Sequence, residues 1–312
     1  MIRALAKGAV QLGFGRVPGG HHAYRAITRG RMGTAATHVD KLARVWPGYV
    51  AVWKRCGVTL DGAQLWTHDA GATPFMPFAA FLLTGRGAIV TDPHERFLDR
   101  YLQRARSGAL DAAWPAGVIP DARRNTIEGL RWITSVDEAV AITGARCHAA
   151  ASELADSSVD LCHSGGALEH LRPDALAAFV AEVARVLRPG GLSSHVFDHR
   201  DHLHHADRSL PFLAHLAWPD HAYRAVFGHS LGYHSRLSPT EVDAVFASAG
   251  LERILVRRLI YRGNDRVWVD SDRDALAGQP GVARTRLAAR FASMLDADLR
   301  VAAAHYLFRK LK

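Results

Sequence analysis

The sequence has little cysteine and no long apolar segment. Its three cysteines, Cys56, Cys147 and Cys162, are far apart in 312 residues and show neither a disulfide framework nor a metal-ligand spacing. The best apolar run, residues 75–83, is interrupted by Pro77 and is shorter than the roughly 18 residues needed to cross a bilayer. These absences exclude a disulfide scaffold and a membrane span. They predict a soluble protein of the reducing cytoplasm.

Acidic residues are absent from the amino-terminal segment. Residues 1–39 contain no Asp or Glu but carry six Arg and Lys, in a chain whose formal charge is +9. This pattern is typical of a solvated basic flank, and it also suits contact with nucleic acid, an anionic membrane surface or an acidic substrate. Because no motif combining aromatic and basic residues is present, nucleic acid is the less favoured partner.

The chain divides into an extension and a main domain. Residues 1–60 are basic, with a helical stretch at about 39–56, and we predict an amino-terminal helical extension there. From residue 61, short apolar strands alternate with helices, which predicts βαβ units and an α/β domain over 61–312. Within it, residues 199–237 are rich in loops, His and aromatic residues, and we predict a lid.

Periodicity predicts the individual elements of this domain. The predicted strands are 63–67, 88–91, 145–149, 159–162, 192–197, 251–261 and 301–308. The predicted helices are 75–84, 94–106, 174–187, 239–249 and 283–295. Ser238 and Glu241 form a capping-box pattern, with Pro239 at the first helical position.

A glycine turn after the first strand and an acidic residue after the second point to an adenosine-bearing cofactor. Gly71 lies in the turn, and Asp92 follows 21 residues later at the end of the second strand. Glycine lets the backbone approach a ligand closely, and the carboxylate can accept hydrogen bonds from both ribose hydroxyls.

Three downstream segments carry a more specific pattern: 156–164 (DSSVDLCHS), 167–171 (ALEHL) and 182–191 (EVARVLRPGG). Over about residues 60–312 the sequence resembles the class I S-adenosylmethionine-dependent methyltransferases, whose fourth strand, following helix and Pro-Gly-Gly turn these segments match. The resemblance implies a doubly wound, Rossmann-like sheet of seven mostly parallel strands. It also implies S-adenosylmethionine as the cofactor and methyl transfer as the activity.

The resemblance also assigns cofactor-binding residues. They are Asp69, Gly71 and Thr73 in the turn, Asp92 at the ribose, Ser152 and Glu153 at the adenine, and His163 and Ser164 beside the methionyl portion and the sulfonium. Two departures stand out: Thr73 replaces the second glycine of the family turn, and alanines at 149–151 replace an acid. They motivate an alternative, a non-catalytic binding or scaffold protein on the same fold.

Catalysis of methyl transfer rests mainly on positioning, and a base near neutral pKa assists a hydroxyl or amine acceptor. The preferred candidates are His202 and Asp198, with His163 beside the cofactor. The wider set of candidate bases is His163, His170, His195, Asp198, His199, Asp201, His202, His204 and His205. Asp198, Asp201 and His202 also suit a divalent cation, but their spacing follows no metal rule, and we predict no metal site.

The predicted acceptor-binding residues lie mostly in the lid. They are His170, His199, Trp218, Tyr233 and Arg236, the last of which can pair with an acidic group of the acceptor. We predict a small-molecule or glycan acceptor. Nucleic-acid methylation is the alternative that the basic flank keeps open.

Overall fold

A computed structural model describes most of the chain. The described residues are 2–20, 23–24, 35–68, 76–91, 123, 136–148, 150–229, 231–270 and 277–312. Within these ranges, no helix combines the length and the apolar character that a bilayer crossing requires. The predicted helix 94–106 lies outside the described residues.

The described residues contain eight α-helices. They are α1 (Ile2–Arg16), α2 (Ala35–Arg55), α3 (Met76–Thr84), α4 (Val136–Thr143), α5 (Pro173–Val186), α6 (His202–Ala206), α7 (Asp220–Phe227) and α8 (Pro239–Ser248). Helices α2, α3, α5 and α8 confirm predicted helices within a few residues. The predicted lid contains α6 and α7, which its sequence did not reveal because each is too short to show a period.

Eight strands lie in the described part of the chain. They are β1 (Leu65–His68), β2 (Ile89–Thr91), β3 (Arg146–His148), β4 (Val159–Gly165), β5 (Leu187–Asp198), β6 (Leu251–Arg262), β7 (Asp265–Val269) and β8 (Val301–Lys310). All seven predicted strands are present, which confirms the α/β class. The eighth, β7, was not predicted.

The strands form one sheet in the order β3-β2-β1-β4-β5-β8-β6-β7. Strand β1 pairs in parallel with β2 and β4, and β2 pairs in parallel with β3. At the other end β7 pairs antiparallel with β6, and Gly263 in the turn between them has a φ of 62°. Glycine adopts this left-handed conformation without the steric cost that a Cβ would bring.

The predicted helix 283–295 is wrong. Short 3-10 turns stand there instead, at Arg284–Arg286 and Ala289–Phe291. The Arg284 guanidinium donates to the carbonyl oxygens of Ala292 (2.9 Å) and Met294 (2.7 Å). The Arg284 side chain thus provides hydrogen-bond donors for carbonyl groups at the end of this segment. These carbonyl groups are therefore paired without a continuous helix.

Helix α8 shows that local capping signals in the sequence are reliable. Ser238 Oγ accepts a hydrogen bond from the Glu241 N–H at 3.1 Å, and Glu241 Oε2 accepts one from the Ser238 N–H at 2.7 Å. This is the predicted capping box, with Pro239 at the start of the helix. The helix ends beside Gly250, whose φ is 77°.

The described residues group into two compact units that are not contiguous in sequence. The first unit draws on 1–31, 165–180 and 195–307, and the second on 32–164, 181–194 and 308–312. Trp46, Trp53 and Trp66 are fully buried in the second unit. In the first unit a cluster of buried apolar side chains includes Phe212 and Phe291. The predicted division at residue 60 stays a prediction.

Candidate functional site

In the second unit, the first two parallel strands end side by side. His68 and Thr91 are register partners, and Thr91 Oγ1 lies 3.0 Å from His68 Nδ1 and 2.9 Å from Trp66 Nε1. These contacts fix the strand ends that lead into the predicted cofactor turn and the predicted ribose-binding acid. Those residues, Asp69, Gly71, Thr73 and Asp92, lie outside the described residues, so their roles stay predictions.

The predicted adenine-contacting segment forms a short 3-10 turn, Ala151–Glu153, after β3. Glu153 Oε1 accepts a hydrogen bond from the Ala150 N–H at 3.1 Å, and Oε2 lies 3.1 Å from His148 Nδ1. Ser152 is exposed. The carboxylate of Glu153 therefore holds its own turn in shape, and contact of Ser152 and Glu153 with adenine stays a prediction.

His163 lies fully buried on β4, next to the buried Ser164. Its Nδ1–H donates to the Ser194 carbonyl oxygen at 2.9 Å, which leaves Nε2 as the acceptor nitrogen. Nε2 has no hydrogen-bond partner among the described residues. Burial lowers the pKa of His163 to about 4. The ring is therefore neutral at pH 7, and it is better suited to accept a hydrogen bond than to act as a strong base.

Three aromatic rings of α2 surround His163. The ring centroids of Trp46, Tyr49 and Trp53 lie 5.9, 4.8 and 5.3 Å from that of His163. Trp53 Nε1 also donates to Ser194 Oγ at 2.7 Å. Sequence analysis assigned no chemistry to this helix, although the i, i+3, i+7 spacing of the three rings places them on one face. That spacing was the signal that could have found them.

In the first unit, four histidines gather into one cluster: His170, His202, His215 and His234. The ring centroids of His170 and His202 are 4.9 Å apart, those of His202 and His234 are 4.2 Å apart, and those of His215 and His234 are 5.3 Å apart. The fold thus brings a predicted catalytic residue, His202, beside a predicted acceptor-binding residue, His170. His215 and His234 were missed, because no local motif distinguishes them from other histidines of the predicted lid.

Three rings of the cluster, those of His202, His215 and His234, are largely withdrawn from water. Burial lowers the pKa of His202 and of His215 well below the ordinary value. Burial also lowers the pKa of His234 to about 3, against an opposing effect of Asp198. These three rings are therefore neutral at pH 7 and, like His163, can accept a hydrogen bond, but their lowered pKa values make each of them a weaker base than an exposed histidine.

Asp198, at the end of β5, is held by Arg200 and His205. Arg200 grips it with two hydrogen bonds, Nε to Oδ1 at 2.8 Å and Nη2 to Oδ2 at 2.7 Å, and His205 Nε2 lies 3.1 Å from Oδ2. Burial alone would raise the pKa of Asp198, but the hydrogen bonds from His205 and Arg200 outweigh it and hold the pKa well below its ordinary value. This geometry fits an anchoring role better than that of a general base.

His199 is also engaged within the fold. Its Nδ1–H donates to the Leu237 carbonyl oxygen at 3.1 Å, and its Nε2 accepts from the Tyr306 hydroxyl at 2.9 Å. Burial lowers its pKa to about 4. With both ring nitrogens occupied, His199 fits a structural role better than the predicted contact with the acceptor.

Two of the predicted acceptor residues, Tyr233 and Arg236, line a cavity of about 240 Å³. Arg236 is buried, forms an ion pair with Asp220 and donates to the Trp218 carbonyl oxygen at 2.6 Å. Its guanidinium lies 4.2 Å from the ring centroid of Tyr223, a cation–π contact. Trp218 takes part through its backbone, so its predicted side-chain contact with the acceptor has no support in this geometry.

No metal-binding group is evident in the described ranges. Among those residues, no three His, Cys, Asp or Glu side chains are placed to hold an ion. Of the cysteines whose side chains are described, Cys56 and Cys162 are free thiols.

Comparison with known proteins finds a family match in the central part of the chain. Residues 130–194 match a family model described as a methyltransferase domain. A search of curated proteins finds no match. That family segment includes β3, β4 and α5, together with His163, Ser164 and His170.

Several solved structures are similar at a distance. An S-adenosylmethionine-dependent methyltransferase from Mesorhizobium loti is 16% identical, with coverage of 87% of this chain and 99% of that chain and a TM-score of 0.46. Geranyl diphosphate C-methyltransferase from Streptomyces coelicolor A3(2) is 12% identical, with coverages of 88% and 83% and a TM-score of 0.44. A methyltransferase from Methanosarcina mazei is 14% identical, with coverages of 81% and 94% and a TM-score of 0.41. At these values the similarities carry no argument about substrate.

Proposed function

We propose that this chain is a class I S-adenosylmethionine-dependent methyltransferase and that it methylates a small-molecule or glycan acceptor held beside His170, His202 and His234. The observation that carries the proposal is the gathering of these three rings, which stand at distant points of the sequence, into one cluster, in which burial lowers the pKa of His202 and His234. Buried ionisable side chains with strongly shifted pKa values are typical of functional sites.

Bound S-adenosylmethionine supplies a methyl group that its sulfonium already makes electrophilic. The protein's contribution is then to hold the acceptor in line and to take up a proton when the acceptor is a hydroxyl or an amine. We assign the proton to His202, because it lies between His170 and His234 in the cluster.

The cofactor site that we propose lies at the ends of β1, β2, β3 and β4. The adjoining ends of β1 and β2 lead directly into the segments that contain Gly71 and Asp92, which supports binding of a nucleoside there. At the end of β4, the unpartnered Nε2 of His163 can accept a hydrogen bond from a donor on the methionyl portion. The free thiols Cys56 and Cys162 suit the cytoplasm, which we propose as the place of action.

Asp92→Ala is expected to weaken binding of S-adenosylmethionine about 100-fold, because two hydrogen bonds from the ribose to a charged carboxylate are lost. Isothermal titration calorimetry measures the change, and Asp265→Ala, an exposed carboxylate on β7, is the matched control. Unchanged affinity in Asp92→Ala contradicts the ribose assignment. A wild-type chain that does not bind the cofactor supports the alternative of a non-catalytic scaffold.

His202→Gln is expected to lower the rate of methyl transfer at least tenfold while affinity for S-adenosylmethionine stays the same, because the proton acceptor is removed and the cofactor contacts are not. The assay follows labelled methyl groups from the cofactor into a panel of small hydroxyl and amine compounds and oligosaccharides. His221→Gln, at an exposed position on α7, is the control. Equal rates in the two variants exclude His202 as the base.

A further inference from the structure

The cavity beside Arg236 is strongly cationic. Four arginines line it: Arg172, Arg224, Arg236 and Arg290. The only carboxylate among its described lining residues is Asp220. Asp220 pairs with Arg236 and lies 3.7 Å from Arg290. One negative charge thus faces four positive charges around a volume of about 240 Å³.

Two of these arginines have no anionic partner in the described part of the chain. No described carboxylate lies within 4.0 Å of Arg172 or Arg224. Arg172 Nη2 donates to the Gly228 carbonyl oxygen at 2.7 Å, and its guanidinium lies 5.2 Å from the ring centroid of Tyr233. These contacts fix the position of the charge without neutralising it. Guanidinium groups held in this way are the preferred protein ligands of carboxylate and phosphate.

His234 also lines this cavity and has a buried ring nitrogen that can accept a hydrogen bond. Its Nε2–H donates to the Asp198 carbonyl oxygen at 2.9 Å, so Nδ1 carries the lone pair. His234 is buried and lines the cavity, and its Nδ1 has no hydrogen-bond partner among the described residues. A buried acceptor without a donor is unfavourable, and a hydrogen bond from a ligand hydroxyl or amine would offset that cost.

We propose that this cavity binds the anionic group, a carboxylate or a phosphate, of an acceptor that also carries a hydroxyl or an amine next to that group. The guanidiniums of Arg172 and Arg290 neutralise the anion, and the adjacent donor reaches His234 Nδ1. Because His234 lies next to His202, that hydroxyl or amine would lie close to His202, the proposed proton acceptor. That this ligand is the methyl acceptor rests on the proposed function. The existence of an anion-binding site does not depend on the proposed function.

Calorimetric titration of the full-length chain with three probes tests the proposal. The probes are inorganic phosphate, glycolate and the uncharged ethylene glycol. We expect at least one anion to bind in the millimolar range at low ionic strength and ethylene glycol not to bind. Phosphate as the better ligand identifies a phosphate ester as the acceptor, and glycolate as the better ligand identifies a hydroxy acid.

Two variants locate the bound anion. Arg172→Gln and Arg290→Gln are each expected to weaken anion binding about tenfold, because each removes one charge-assisted hydrogen bond. Arg286→Gln, which removes an exposed charge outside this cavity, is expected to leave it unchanged. Failure of both anions to bind, or equal binding by all three variants, overturns the proposal. The same samples are also titrated with S-adenosylmethionine. If the chain binds the cofactor but neither anion, the anion site is wrong and the proposed function stands. If the chain does not bind the cofactor, the proposed function fails.

Discussion

Asp198→Ala is expected to lower the free energy of unfolding by about 3 to 5 kcal/mol, because it leaves the guanidinium of Arg200 without its buried partner. The Arg200 side chain is 12% exposed and that of Asp198 is 16% exposed, so water replaces the lost hydrogen bonds poorly. The same change removes the partner of His205 Nε2 at 3.1 Å. Urea denaturation followed by circular dichroism measures the loss.

Asp296→Ala is the matched control for this experiment. Asp296 also pairs with an arginine, Arg284, but its side chain is 70% exposed, and we expect little change in the urea midpoint because water and salt screen exposed pairs. Asp198→Asn, which keeps one oxygen acceptor, should fall between wild type and Asp198→Ala. A fully stable Asp198→Ala variant with no methyl transfer would instead restore Asp198 as a catalytic base.

Lowering the pH from 7 to 5.5 is expected to reduce the free energy of unfolding by about 4 kcal/mol through three buried histidines. Burial lowers the pKa of His163 and His199 to about 4 and that of His234 to about 3, against an ordinary value of 6.5. Below pH 6.5 the unfolded chain binds protons that the folded chain does not. Stability therefore falls as the pH drops from about 6.5 towards 4.

Asp198 contributes little over this range. Asp198 has its pKa held below the ordinary value of 3.8, so its stabilising effect is lost only at more acidic pH. Thermal melts at half-unit pH steps should show Tm falling by roughly 6 °C between pH 7 and pH 5.5. His221→Gln, at an exposed site, should leave this dependence unchanged. A Tm that is constant across the range would show that the buried rings are protonated in the folded protein.

The sequence predicted the fold well wherever local chemistry decides the structure. The strand Val159–Gly165, the helix Pro173–Val186 and the capping box at Ser238 follow from apolar period and hydrogen bonds between near neighbours. Strand β7 was missed because DRVWV is short and its position depends on pairing with β6. The predicted helix over 283–295 is absent, and the Arg284 side chain instead donates hydrogen bonds to backbone carbonyl groups eight and ten residues later in the chain.

The sequence by itself determined the order of strands and helices. For the candidate site it predicted the cofactor class and individual residues such as His163, His170 and His202. Only the tertiary structure decided that His202 meets His170 and His234, that Asp198 and His199 are bound within the fold, and that four arginines share one cavity. The physical reason is the sequence separation over which each kind of interaction acts. Helix period, caps and turns arise within a few residues, whereas burial, pKa and ion pairing depend on side chains that lie tens of residues apart in the sequence.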